Sequence, residues 1–181
     1  MISHKEWCAI TCEKFQQKNI TEKHLKTVSE DIVLLDGVKD VLELLKKKGI
    51  KLYLASGSIK QVIEYVWGKN IDYYFERIES NIFRFKDGNL KEIKGTEYDF
   101  EGKIELIREI KKIQKLNSVK EILFVGSYNN DEFAHKSGAR TLCLNAKLTN
   151  PHDKNSWQDT FTVSDYKELY EYIKKKYLIP I

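Results

Sequence analysis

The sequence predicts an α/β fold, a Rossmann-like three-layer arrangement in which a parallel sheet carries helices on both faces. Apolar runs of strand length alternate with stretches of 3.6-residue periodicity from residue 38 onward. Two of those runs end in small-residue turns, Ser56-Gly57-Ser58 and Gly126-Ser127, and each turn leads into a helical stretch. Strands joined through helices run parallel.

Each element has its own signal. Residues 6–17 and 21–29 show helical periodicity, with Asn19 as the break and Thr21 as the N-cap of the second helix. Val38, Val41, Leu42 and Leu45 mark one face of a helix that Gly49 ends, and residues 50–55 follow as a strand. A helix is expected over 59–66 and a strand over 75–79. Residues 82–85 and 90–93 form a hairpin turning at Asp87-Gly88-Asn89. Ile104, Ile107, Ile110 and Ile113 line a long helix. Residues 122–125 read as a strand, 131–137 as a helix, 141–144 as a strand and 161–163 as a short strand, with Ser164 capping a final helix. Residues 145–159 form a polar loop.

Composition bounds what the chain can do. Its 181 residues are 41% hydrophobic with two prolines, enough for one sizeable core or a core with a small helical appendage. Thirty-one basic against 27 acidic residues leave a net charge of +4, too slight an excess to call for nucleic acid. The lysine runs 46–48, 111–112 and 174–176 lie near helix ends, where they offset the negative end of the dipole as solvated charges. Cys8, Cys12 and Cys143 lack metal-binding spacing and read as buried or half-buried reduced thiols. No apolar run is long enough to span a bilayer, and Met1-Ile2-Ser3-His4 opens straight into polar helix. The expectation is a cytoplasmic protein without a membrane or nucleic-acid partner.

Three turns lie where open α/β sheets place ligands, at the carboxyl ends of strands. Ser56-Gly57 offers a hydroxyl and unhindered amides to an anionic oxygen. Lys103, on the first turn of the isoleucine-faced helix, opposes the helix dipole, a placement that makes sense if it neutralises a phosphate or a carboxylate beside it. Gly126 allows close backbone approach before Asp131, a carboxylate able to help hold a divalent cation. His135 reads as a surface or core-edge residue, and Trp7, Phe15, Trp67, Tyr73 and Tyr74 as packing.

In order and spacing, Leu54-Ala55-Ser56-Gly57-Ser58, Lys103-Ile104-Glu105-Leu106-Ile107 and Val125-Gly126-Ser127-Tyr128-Asn129-Asn130-Asp131 resemble the second, third and fourth motifs of the haloacid dehalogenase superfamily. The likeness is to its phosphoserine-phosphatase-like branch. Leu35-Asp36-Gly37-Val38 stands where that branch has a Pro-Gly-Val turn, and Asp87-Gly88 where it has a recurrent hairpin. The resemblance spans residues 34–147 and makes 1–33 a helical cap remnant and 34–181 the core. It implies that Ser56, Gly57 and Lys103 bind phosphate, that Lys103 and Asp131 are catalytic, and that Asp131 and Ser127 face Mg2+. A small phosphorylated metabolite or inorganic phosphate would be the ligand.

Two positions depart from the family pattern. Its fourth motif begins Gly-Asp, and here Ser127 replaces that aspartate, removing a charge from the metal site. Its first motif, a strand ending in Asp-x-Asp, supplies the nucleophile and the general acid, and this sequence contains no Asp-x-Asp. In the family that strand lies between those matching 52–55 and 122–125. These two strands are therefore expected to pair directly, about 4.8 Å apart, or to be bridged by a second chain that completes the sheet, unless the sequence is an incomplete copy. Three functions stay open: a phosphomonoester hydrolase domain incomplete or inactive as it stands, a non-catalytic anion-binding or regulatory module, and an unrelated receiver-like or nucleotide-binding α/β domain.

Overall fold

A capping box starts the chain's first helix. In α1 (His4–Gln17) the Ser3 hydroxyl accepts from the Glu6 amide at 3.2 Å, and the Glu6 carboxylate accepts from the Ser3 amide at 2.7 Å. Asn19 breaks the backbone at φ +52°, and α2 (Glu22–Glu30) follows. Next come α3 (Val38–Lys47), ended at Gly49 with φ +77°, then β1 (Tyr53–Ile59), α4 (Lys60–Trp67) and the short α5 (Ile71–Tyr74). The hairpin of β2 (Arg77–Lys86) and β3 (Asn89–Lys94) turns through Asp87 and Gly88, both at positive φ. The second half runs α6 (Gly102–Ile113), β4 (Leu123–Gly126), a 3₁₀ helix (Asn129–Ser137), β5 (Arg140–Leu144), β6 (Asp159–Phe161) and α7 (Tyr166–Ile173). The structure, a computed structural model, describes residues 3–127, 129–145 and 156–178. The polar loop predicted over 145–159 lies largely outside them.

The chain divides into two compact units. The first comprises Met1–Leu35 and Ile50–Glu97, the second Asp36–Gly49 and Tyr98–Ile181. In the first, β2 is the central strand, parallel to β1 along its first half and antiparallel to β3 along its second. Its core gathers Cys8, Leu25, Val62, Phe83, Leu90 and Ile93. In the second, β4, β5 and β6 form a parallel sheet in that order, and β5, with Thr141, Leu142 and Cys143 buried, is its centre. There Ile107 packs with Ala134 and Ala139.

The α/β class follows the sequence, but several particulars differ. The described strands form two three-stranded sheets, and β1 pairs with β2 while β4 pairs with β5. The direct ladder expected between residues 52–55 and 122–125 is absent among the described residues, where β1 and β4 are each the edge strand of its own sheet. The predicted strands 75–79 and 82–85 are one continuous β2. Ser56-Gly57-Ser58 is not a loop after β1 but a bulge within it. Ala55 faces Glu79 and Ile59 faces Asn81, so three residues of β1 stand against Ser80. The helix expected at 131–137 is present as a 3₁₀ helix, Asn129–Ser137. All three cysteines are free, Cys8 and Cys143 buried and Cys12 half-buried. Among the described residues no helix is long and apolar enough to cross a membrane.

The cap of α7 also differs. Asp165, not Ser164, accepts from the Lys167 amide at 2.8 Å, while the Ser164 hydroxyl donates to Glu168 at 2.7 Å. Asp165→Ala is expected to cost about 1 kcal/mol, read as a lower urea midpoint with an unchanged slope. Ser164→Ala should cost less than half of that, and equal losses would show that the cap is shared.

Candidate functional site

Lys103 is the most deeply buried charge described, with its side chain 1% exposed. Leu106, Ile107 and Ile110 turn α6 toward the core, and the same helical phase carries Lys103 inward one turn earlier. Its Nζ donates to Asp99 Oδ1 at 2.5 Å and lies 3.4 Å from Asp131 Oδ1. A buried ammonium is strongly penalised without such partners, and an ammonium on a helix's first turn opposes the dipole as well.

Two irregular segments bring these carboxylates in. Before α6 the chain turns at Phe100, φ +48°, where the Phe100 amide donates to Asp99 Oδ1 at 2.9 Å and the Gly102 amide donates to the Asp99 carbonyl at 2.9 Å. Asn130 Nδ2 donates to the same Oδ1 at 2.7 Å, so that oxygen takes three donors. After β4, the Ser127 amide donates to Asp131 Oδ2 at 2.9 Å. A Cβ on Gly126 would stand 2.7 Å from Asp131 Cβ and Oδ2, so only glycine leaves room for the carboxylate to fold back. Burial pushes the Asp99 carboxyl up, but the hydrogen bond and charge of Lys103, with the Phe100 and Asn130 amides, hold it below its ordinary value. The Cys143 thiol is pushed up by burial and then by the charges of Asp131 and Glu132.

The second unit thus brings Lys103, Asp131 and Ser127 together. Ser56 and Gly57 belong to the first unit, where the Ser58 amide donates to Ser56 Oγ at 3.1 Å and leaves the hydroxyl hydrogen available to another acceptor. Asp99 is the residue the sequence reading missed. It lies unmarked in the acidic stretch 97–101, but its i, i+4 spacing to Lys103 was a usable signal. His135 turns to the Glu132 carbonyl at 2.5 Å, away from any role here.

Magnesium, which the resemblance implies, does not fit these residues. Asp131 Oδ2 is taken by an amide, Oδ1 faces an ammonium, and Ser127 adds no charge. A hard dication needs about six oxygen donors. Among the described residues no group of three or more His, Cys, Asp or Glu side chains could hold a metal.

Solved structures with a similar fold include phosphoserine phosphatases. Phosphoserine phosphatase in apo form superposes with a TM-score of 0.73 at 18% identity, over 92% of this chain and 81% of that one. The fold is haloacid dehalogenase-like. A substrate-bound phosphoserine phosphatase complex gives 0.71 at 18% identity, over 89% and 76%. A haloacid dehalogenase family hydrolase from Salmonella enterica subsp. enterica serovar Typhi gives 0.65 at 16%, over 81% and 50%. At these identities the likeness is one of fold. No protein-family model matches the sequence, and no curated protein sequence matches it.

The pairing of Asp99 and Lys103 sets an acid response. A carboxyl held below its unfolded value contributes stability that is complete above that value and is lost as pH falls through the folded one. Asp99→Asn, which keeps an acceptor but loses the charge, should flatten the fall of unfolding free energy below about pH 4. At pH 7, Asp99→Ala should be destabilised by about 3 kcal/mol, through the ammonium it leaves underpaired. Parallel acid-unfolding curves for Asp99→Asn and the unaltered chain would refute the assignment.

Proposed function

We propose that this chain is a phosphatase-type domain that handles a phosphomonoester and does not complete its hydrolysis unaided. The observation that supports this reading is the buried Lys103 held between Asp99 and Asp131, at the start of the helix that the sequence resemblance reads as the third motif. In phosphoryl transfer such a lysine offsets charge on a phosphoryl group, and the Ser56 hydroxyl of the first unit is the kind of donor that meets an anionic oxygen. Ser56 and Gly57 are the residues of the first unit carried into the proposal, and Lys103 and Asp131 those of the second. The ligand class is a small phosphorylated metabolite or inorganic phosphate. With no Asp-x-Asp in the sequence, the covalent step lacks its attacking carboxylate.

One observation favours a second reading, a non-catalytic anion-binding or regulatory module. Ser127 stands where the resemblance expects the fourth-motif aspartate, so a metal site there would lose a formal charge. A second chain adding a strand belongs to the first reading. It is supported by β4, which has a ladder on one side only among the described strands and leaves Val125 40% exposed, although strands of parallel sheets are usually covered.

Purified chain incubated with phosphoserine or p-nitrophenyl phosphate and Mg2+ should release phosphate no faster than buffer. Turnover that vanishes in Asp131→Ala would overturn the reading, by showing that another residue starts the reaction. Inorganic phosphate should bind weakly by calorimetry, Lys103→Met should weaken it further, and Mg2+ should leave the affinity within about twofold, as expected of a site without a dication's donor set.

A further inference from the structure

The bulge of β1 poses a mechanical problem. Three residues with glycine at the centre, standing against one residue of the neighbouring strand, have many backbone conformations available, and amides receive an anion well only when their directions are set beforehand. Something must hold Gly57.

We infer that Asn81 is the positioning residue of the Ser56-Gly57-Ser58 turn and sets whether that turn can receive a phosphoryl oxygen. The inference rests on the reading of the turn as a phosphate site. Asn81 lies on β2 at the end of the bulge, paired in register with Ile59, and is 3% exposed. Its Nδ2 donates to the Gly57 carbonyl at 2.6 Å. Its Oδ1 accepts from the Thr96 amide at 2.9 Å and lies 3.0 Å from His4 Nε2.

These contacts fix the amide's orientation. Rotated by 180°, the side chain would set its NH2 against the Thr96 N–H and its oxygen against the Gly57 carbonyl, losing both bonds. With Oδ1 as acceptor, His4 must carry its hydrogen on Nε2, so the first residue of α1 donates into the same joint. The joint is tightly closed. A Cβ on Gly95, next to Thr96, would stand 2.8 Å from Cys8 Sγ and 2.9 Å from the His4 ring. One buried side chain thus ties the turn to α1 and to the segment after β3. The glycine supplies freedom, and Asn81 selects one conformation from it.

The test uses the full chain, isotopically labelled, titrated with inorganic phosphate and followed by NMR. Asn81→Asp keeps an acceptor for Thr96 and His4 and replaces the N–H that holds Gly57 by an oxygen; because it also adds a negative charge, the affinity is read beside Asn81→Ser, which removes the N–H without adding one. Expected are a shift of the Gly57 carbonyl carbon and the Ser58 amide, and a fall in phosphate affinity of about tenfold, the scale of one hydrogen bond. The methyl resonances of Leu25, Val62 and Leu90 should stay in place. His4→Gln, which keeps a donor to Asn81, should leave both readouts within twofold. An unmoved Gly57 carbonyl with unchanged affinity in Asn81→Asp would overturn the inference. Should that variant not fold, a through-hydrogen-bond coupling between Asn81 Nδ2 and the Gly57 carbonyl carbon in the unaltered chain supports the inference if present and overturns it if absent. If the unaltered chain binds no phosphate at this turn, the phosphate reading fails, while the coupling still decides whether Asn81 holds the turn.

Discussion

Two separate segments of the second unit are shaped by the need to neutralise one buried ammonium. Lys103 is drawn inward by the apolar phase of α6, and once inside it must meet negative charge. The chain ahead of α6 answers by taking Phe100 into the left-handed region, which swings Asp99 over the helix start. The chain after β4 answers with a glycine that gives the Asp131 side chain room and an amide that holds it. Asn130 then joins the two carboxylate-bearing segments through Asp99. Backbone strain, a glycine and a side-chain amide are all consequences of placing one charge in the core.

The arrangement narrows what the domain can do. An ammonium with two carboxyl groups around it can steady an added anion, but it attracts one far less than an unpaired lysine would. The same ammonium lowers the attraction of Asp131 for a metal. One ammonium between two carboxyl groups leaves no excess positive charge at this point of the core.

Much of this was legible in the residues, because burial imposes patterns. The isoleucine stripe foretold α6, the 140s run foretold the central strand β5, and Asp87-Gly88 foretold the hairpin turn. The failures have physical causes. Ser56-Gly57-Ser58 looks like a loop, but a bulge uses the same residues, and only the pairing of Ile59 with Asn81 tells them apart. Ser164 looked like the cap of α7 until its hydroxyl was seen bonded to Glu168, which leaves the role to Asp165. Asp99 was hidden among acidic neighbours, because what singles it out is a left-handed residue beside it that periodicity does not report. Asn81 was invisible for a similar reason: a polar residue inside a strand gives no hint of partners 24 and 77 positions away.

The two compact units interleave along the chain, with boundaries at 35/36, 49/50 and 97/98. Helix α3 packs against α7, whose residues lie more than a hundred positions later. During synthesis α3 is therefore made early and waits, its apolar face uncovered, while residues 50–97 of the first unit and most of the second are added. Contacts between such distant segments form slowly, and an uncovered amphipathic helix is the kind of surface to which chaperones and other chains attach. Its acidic and basic flanks, Asp40 and Glu43 beside Lys46 and Lys47, help to keep that waiting segment in solution until its partner emerges.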